Sequence, residues 1–186
     1  MQKVRTFVAV EMPGELRVQF KDVQAQLQRA EAHVNWVEPH NIHVTLKFLG
    51  EIGQDQLEGL YEGVSEGVRG LAPFEIGLSG LGAFPNFRRP RVVWIGVERG
   101  RERLVELQRR LEESIGHRGF PRDNRKFSPH LTIGRVKSPR GVDDLVDTIK
   151  ATPFESGSIR VDEVVVMKST LTPEGPIYAS LRRIGL

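Results

Sequence analysis

Two short stretches of the chain alternate apolar and polar positions with the same residues in the same places. In Asn41-Ile42-His43-Val44-Thr45-Leu46-Lys47-Phe48-Leu49-Gly50, the apolar Val44, Leu46 and Phe48 are interleaved with the polar His43, Thr45 and Lys47. In Ser128-Pro129-His130-Leu131-Thr132-Ile133-Gly134-Arg135-Val136, Leu131 and Ile133 alternate with His130 and Thr132. Successive side chains of a strand point to opposite faces, so a period of two predicts strands whose apolar set turns to a core. Each histidine then shares a face with the threonine two residues on. The histidines stand 87 positions apart in 186 residues, one near the middle of each half.

The remaining periodicities predict the other elements. Residues 4–10 read as a strand ending at Met12-Pro13-Gly14, and residues 14–32 as a helix with Leu16, Phe20, Val23 and Leu27 at helical spacing. A short strand over 33–37 turns into the first histidine stretch. Residues 54–69 read as a helix weakened by Gly59, Gly63 and Gly67, each costing up to ~1 kcal/mol relative to alanine. Residues 74–81 and 91–97 are strand-like, separated by a turn-rich stretch. In the second half, 101–116 is an amphipathic helix carrying Leu104, Leu107, Leu111 and Ile115. A basic loop over 119–127 leads into the second histidine stretch; 143–150 is a short helix, 158–168 one long strand and 177–184 a closing strand. The order strand, helix, histidine strand, helix, strand in both halves predicts a duplicated α+β unit. No low-complexity linker divides it, so residues 1–186 are expected to form a single domain of two intimately packed lobes sharing a cleft.

Composition narrows the chemistry. With 39% hydrophobic and 27% charged residues the chain can build a core, and with no cysteine it has neither disulfides nor thiolate metal ligands. No stretch approaches the length of a membrane span, and no long apolar segment opens the chain, so a cytoplasmic protein is expected. The formal charge is only +3, yet the pI is about 9.4. Arg88, Arg89 and Arg91 cluster, as do Arg122, Arg125 and Lys126 just before the second histidine. Basic groups beside a candidate site favour a phosphate-bearing partner.

Histidine, with an ordinary pKa of ~6.5, gives and takes protons near neutrality. Two of them can divide the labour in a displacement at phosphorus, one taking a proton from water and the other protonating the departing oxygen, each typically worth ~10²–10⁴ in rate. Thr45 and Thr132 would donate hydrogen bonds to phosphate oxygens, while Arg135 or Lys47 supplies positive charge. Strict alternation, however, places Arg135 on the core face. Phe84 and Phe127 sit in turns beside basic residues, where a ring could stack on a terminal base. Neither histidine stretch has HExxH or other zinc-ligand spacing, and the chain contains no GxxxxGK[ST] loop or GxSxG elbow.

Paired His-x-Thr stretches with these flanks resemble the 2H phosphoesterase superfamily, within it the RNA 2′,3′-cyclic phosphodiesterases historically called 2′-5′ RNA ligases. The resemblance extends to Arg5-Thr6-Phe7-Val8-Ala9-Val10, to Arg91-Val92-Val93-Trp94, and to the tail from Lys168 to Tyr178. It implies a bilobal α+β fold with pseudo-twofold symmetry, two antiparallel sheets around a central cleft and helices outside. It implies hydrolysis of RNA-terminal 2′,3′-cyclic phosphates to 2′-phosphomonoesters without metal or other cofactor. His43 would be the proton donor and His130 the proton acceptor, Thr45, Thr132 and Arg135 phosphate ligands, and Lys47, Phe84, Arg91, Arg125 and Phe127 further contacts. The expected partners are RNA ends or small cyclic phosphates, with no membrane and no obligate protein partner. Ligation through a 2′-5′ linkage, and a non-catalytic RNA-end binder, are the competing readings.

Overall fold

The computed structural model of the protein describes residues 2–186. Its elements run β1 (Lys3–Glu11), α1 (Leu16–Gln28), β2 (Val34–Trp36), β3 (His43–Gly53), α2 (Leu57–Val68), β4 (Phe74–Phe84), β5 (Val92–Arg99), α3 (Arg101–His117), β6 (His130–Val136), α4 (Val142–Ala151), β7 (Glu155–Val161), β8 (Glu163–Thr172) and β9 (Gly175–Gly185). The class is α+β, and every strand pairing is antiparallel.

The strands form one curled sheet in the order β7-β4-β5-β6-β3-β1-β8-β9, with β2 beside β6. This corrects the expectation of two separate sheets. The histidine strands β3 and β6 meet through one residue pair, Val44 and Leu131, and that bridge joins an arm of β7-β4-β5-β6 to an arm of β3-β1-β8-β9. Past the bridge the strands diverge, and β2 takes over the free edge of β6, pairing Asn35 with Arg135 and Trp36 with Gly134.

The helices bury their apolar stripes on one face. Phe20 and Leu27 of α1, Leu60 and Val64 of α2, Leu107 and Leu111 of α3, and Leu145 and Ile149 of α4 join Val8, Val44, Leu46, Ile95, Leu131 and Ile133 in a single core. Two of the glycines that weaken α2, Gly63 and Gly67, face α3, whereas Gly59 faces open space. A Cβ on Gly67 would lie 2.9 Å from Leu111 Cδ2, so only a bare backbone lets α2 approach α3 this closely. The opposite face holds the histidines and a smaller apolar set, Phe7, Ala9, Val165 and Met167, packed with Tyr178.

Two elements differ from their expected bounds. The stretch read as one strand over 158–168 breaks at Asp162: β7 pairs with β4 in one arm, whereas β8 pairs with β1 in the other. The alternation of Ile159 and Val161 gives way at the charged Asp162-Glu163 to the continuous apolar run Val164–Met167, and that change of pattern marks the crossing. Likewise β4 runs on through the glycine-rich stretch to Phe84, which pairs with Val92, because the Trp94 indole lies flat against Gly82 where a side chain would stand. Among the described residues, no helix is long and apolar enough to cross a membrane.

Candidate active site

Strict alternation would carry Lys47 to the cleft and Arg135 to the core. The structure does the reverse, through a β-bulge in each histidine strand. On β3, Thr45 pairs with Ala9 and Lys47 with Val8, leaving Leu46 as the extra residue. On β6, Thr132 pairs with Trp94 and Gly134 with Val93, leaving Ile133 extra. One inserted residue turns everything after it to the other face. Lys47 is therefore buried on the core side, its Nζ 2.8 and 2.9 Å from the Glu112 carboxylate and 2.9 Å from the Pro121 carbonyl. That corrects its expected place beside the phosphate. Phe48 and Arg135 emerge on the histidine face instead, and Phe48 is 64% exposed.

The two imidazoles are held alike. The Nδ1 of His43 lies 2.6 Å from the carbonyl of Asn41, and that of His130 lies 2.6 Å from the carbonyl of Ser128. A carbonyl only accepts, so each Nδ1 carries a proton and each neutral ring keeps its lone pair on Nε2. The Nε2 of His43 is 2.9 Å from Thr45 Oγ1. Asn41 is itself anchored, its Nδ2 donating to the carbonyl of Pro176 at 3.0 Å.

Aromatic rings wall both histidines. Phe7 stacks on His43 at 5.0 Å between centroids and Tyr178 meets it edge-on at 5.5 Å; Phe84 stands edge-on to His130 at 4.9 Å. Burial lowers the pKa of both histidines, because an apolar wall penalises the charged ring. Their carbonyl bonds oppose this, and the Arg135 guanidinium adds to it in both cases. Glu11, opposite His43 in the β1–β3 register and paired through its carboxylate with Arg183 at 2.7 Å, favours the charged form of His43 but does not act on His130.

The structure thus brings His43, Thr45, His130, Thr132, Arg135 and Phe84 to one face of the sheet. Arg91 is exposed where β5 begins, its backbone bonded to Phe84 and Val136. Arg125 is exposed and paired with Asp123 at 2.7 Å; its hydrogen bonds pull the Asp123 carboxyl down to about 2. Phe127 is partly buried and packs against the core. Phe7, Phe48 and Tyr178 were not expected at the site. Phe7 and Tyr178 carry no local signal of their role, since the fold draws them in from the two ends of the chain. Among the described residues, no three His, Asp or Glu side chains converge as a metal-binding set.

Fold and site together define a class: α+β proteins in which two His-x-Thr strands lie side by side on a curled antiparallel sheet. Within that class, residues 12–172 match the model of the 2′-5′ RNA ligase superfamily, and the chain belongs to this family of 2H phosphoesterases. It is 46% identical over 180 residues to the RNA 2′,3′-cyclic phosphodiesterase of Methanothermobacter thermautotrophicus, covering 96% of this chain and 97% of that one. The protein of the same name from Archaeoglobus fulgidus is 41% identical, with 96% and 98% covered. The crystal structure of E. coli LigT complexed with 3′-AMP superposes with a TM-score of 0.79 at 27% identity, covering 100% of this chain and 99% of that one.

Proposed function

We propose that the protein hydrolyses RNA-terminal 2′,3′-cyclic phosphates to 2′-phosphomonoesters in the cytoplasm, without metal. The observation that carries this reading is the pair of Nδ1-anchored imidazoles on adjacent strands with Arg135 acting on both. The names of the relatives supply the substrate class. His130 Nε2 accepts a proton from water as its oxygen bonds to phosphorus. The P–O3′ bond breaks, and protonated His43 gives its Nε2 proton to the departing oxygen. The Glu11 carboxylate supports this division, since it favours the charged form of His43 alone. Thr45, Thr132 and Arg135 hold the non-bridging oxygens, and Phe48 offers an exposed ring to the terminal base. The matching bulges after each His-x-Thr support a single domain of two lobes related by a pseudo-twofold axis.

The test is an oligoribonucleotide ending in a 2′,3′-cyclic phosphate, incubated with the protein in EDTA and followed by phosphorus NMR. A 2′-phosphate is expected. A 3′-phosphate would reverse the leaving group, and bound but unreacted RNA would leave only an RNA-end binder.

The pH dependence follows from the lowered histidine pKa values. His43 must be charged to act as acid, so its depressed pKa brings the alkaline limb of kcat/KM down in pH. His130 must be neutral to act as base, so its depressed pKa extends the acid limb downward as well. A bell centred below the ordinary histidine value of ~6.5 is expected from initial rates across pH 4–9. A flat profile, or an optimum above 7.5, would contradict the roles.

A further inference from the structure

Arg135 reaches the histidine face only because Ile133 is an extra residue in β6, and an extra residue needs something to hold it. A bulged residue falls out of the regular ladder, and a buried carbonyl left without a donor destabilises the fold. The carbonyl of Ile133 receives two donors from outside the β5–β6 ladder. One is the backbone N–H of Val37, at 3.0 Å. The other is the side chain of Gln24, on α1 and 109 residues away, whose Nε2 donates at 2.9 Å. The same Nε2 donates to the carbonyl of Val37 at 2.7 Å, so both amide protons are spent on the two carbonyls that flank the bulge. Gln24 is 4% exposed, the one polar residue in the buried stripe of α1. The residue after the bulge is clamped from the side: a Cβ on Gly134 would fall 2.8 Å from Val34 Cγ1 and 2.9 Å from Trp36 Cε3.

We infer that Gln24 is a positioning residue for Arg135: its carboxamide holds the Ile133 bulge and so sets the face on which the guanidinium emerges. An apolar side chain of similar size donates to neither carbonyl: Ile133 would keep only the Val37 N–H, and the Val37 carbonyl would lose its Gln24 donor. Relaxing the bulge would slide Arg135 toward the core face, where alternation alone would put it. The inference rests on Arg135 as a phosphate ligand of the proposed site.

The test compares Gln24→Met, Arg135→Ala and the double variant by NMR titration of the histidine ring protons and by kcat/KM on a cyclic-phosphate oligonucleotide. Removing the guanidinium from the histidines should raise the pKa of both His43 and His130. Gln24→Met should shift both in that direction and lower kcat/KM by up to roughly 10²-fold, as expected for a misplaced group. The double variant should lose little more than Arg135→Ala alone. Folded Gln24→Met protein with wild-type titrations and turnover would overturn the inference, as would fully multiplicative losses in the double variant. If Arg135→Ala itself moves neither readout, the reading of Arg135 fails first and takes the inference with it. Where Gln24→Met does not fold, Gln24→Asn keeps the amide but withdraws it by one methylene, and the same outcomes decide.

Discussion

His43→Ala and His130→Ala are each expected to lower kcat on a cyclic-phosphate oligonucleotide by roughly 10²–10⁴-fold, the usual worth of one positioned proton-transfer group. KM should change little, because Thr45, Thr132 and Arg135 would still hold the phosphate. The double variant should fall well short of the product of the two losses, since acid and base act in one concerted displacement. Single-turnover assays across pH separate the roles. Loss of His43 should remove the alkaline limb of the profile, and loss of His130 the acid limb. Near-normal turnover in both variants would end the mechanism. The opposite loss of limbs would exchange the acid and the base, contrary to the placing of Glu11 beside His43.

The second large effect concerns stability. Lys47 and Glu112 form an ion pair at 2.8 Å with their side chains 2% and 13% exposed. Glu112 also accepts from the backbone N–H of Asp123 at 3.1 Å, so the pair ties β3 to α3 and to the basic loop that leads into His130. Removing one member of a buried pair strands the other charge, at a cost of about 3–5 kcal/mol, whereas replacing both by apolar groups of similar volume is often neutral. Glu112→Ala should therefore lower Tm by about 6–20 °C. Lys47→Met combined with Glu112→Leu should recover most of that loss. Thermal denaturation of the two variants beside wild type checks it; a Glu112→Ala protein as stable as wild type would show that Lys47 is not stranded by the loss of its partner.

Period-two alternation is enough to put His43 on one face with Thr45 and His130 on one face with Thr132, because a strand that buries Val44 and Leu131 must turn its other face elsewhere. That the two strands meet comes from the Val44–Leu131 pairing. Alternation fails one residue after each threonine. A bulge is a single unpaired residue, Leu46 or Ile133, and nothing in its side chain announces it; the donors that hold Ile133 lie on α1 and beside β2. Alternation alone therefore puts Lys47 in the cleft and Phe48 in the core, the reverse of where they stand. The helices were legible from Leu and Val at helical spacing, each to within a few residues. The pairing of β7 and β8 with opposite arms was not, because alternation reports a strand's faces and not its neighbours.

The arms of the sheet are interleaved along the chain. The arm carrying His130 has all its strands by Val161, whereas the arm carrying His43 lacks β8 and β9 until Gly185. During synthesis, then, His43 leaves the ribosome before His130 yet belongs to the arm completed last. Until the β8–β9 hairpin arrives, β1 has an unpaired edge and Tyr178 cannot reach His43. A nascent chain stopped at Val161 would hold every residue of both His-x-Thr pairs and still have no finished wall around His43.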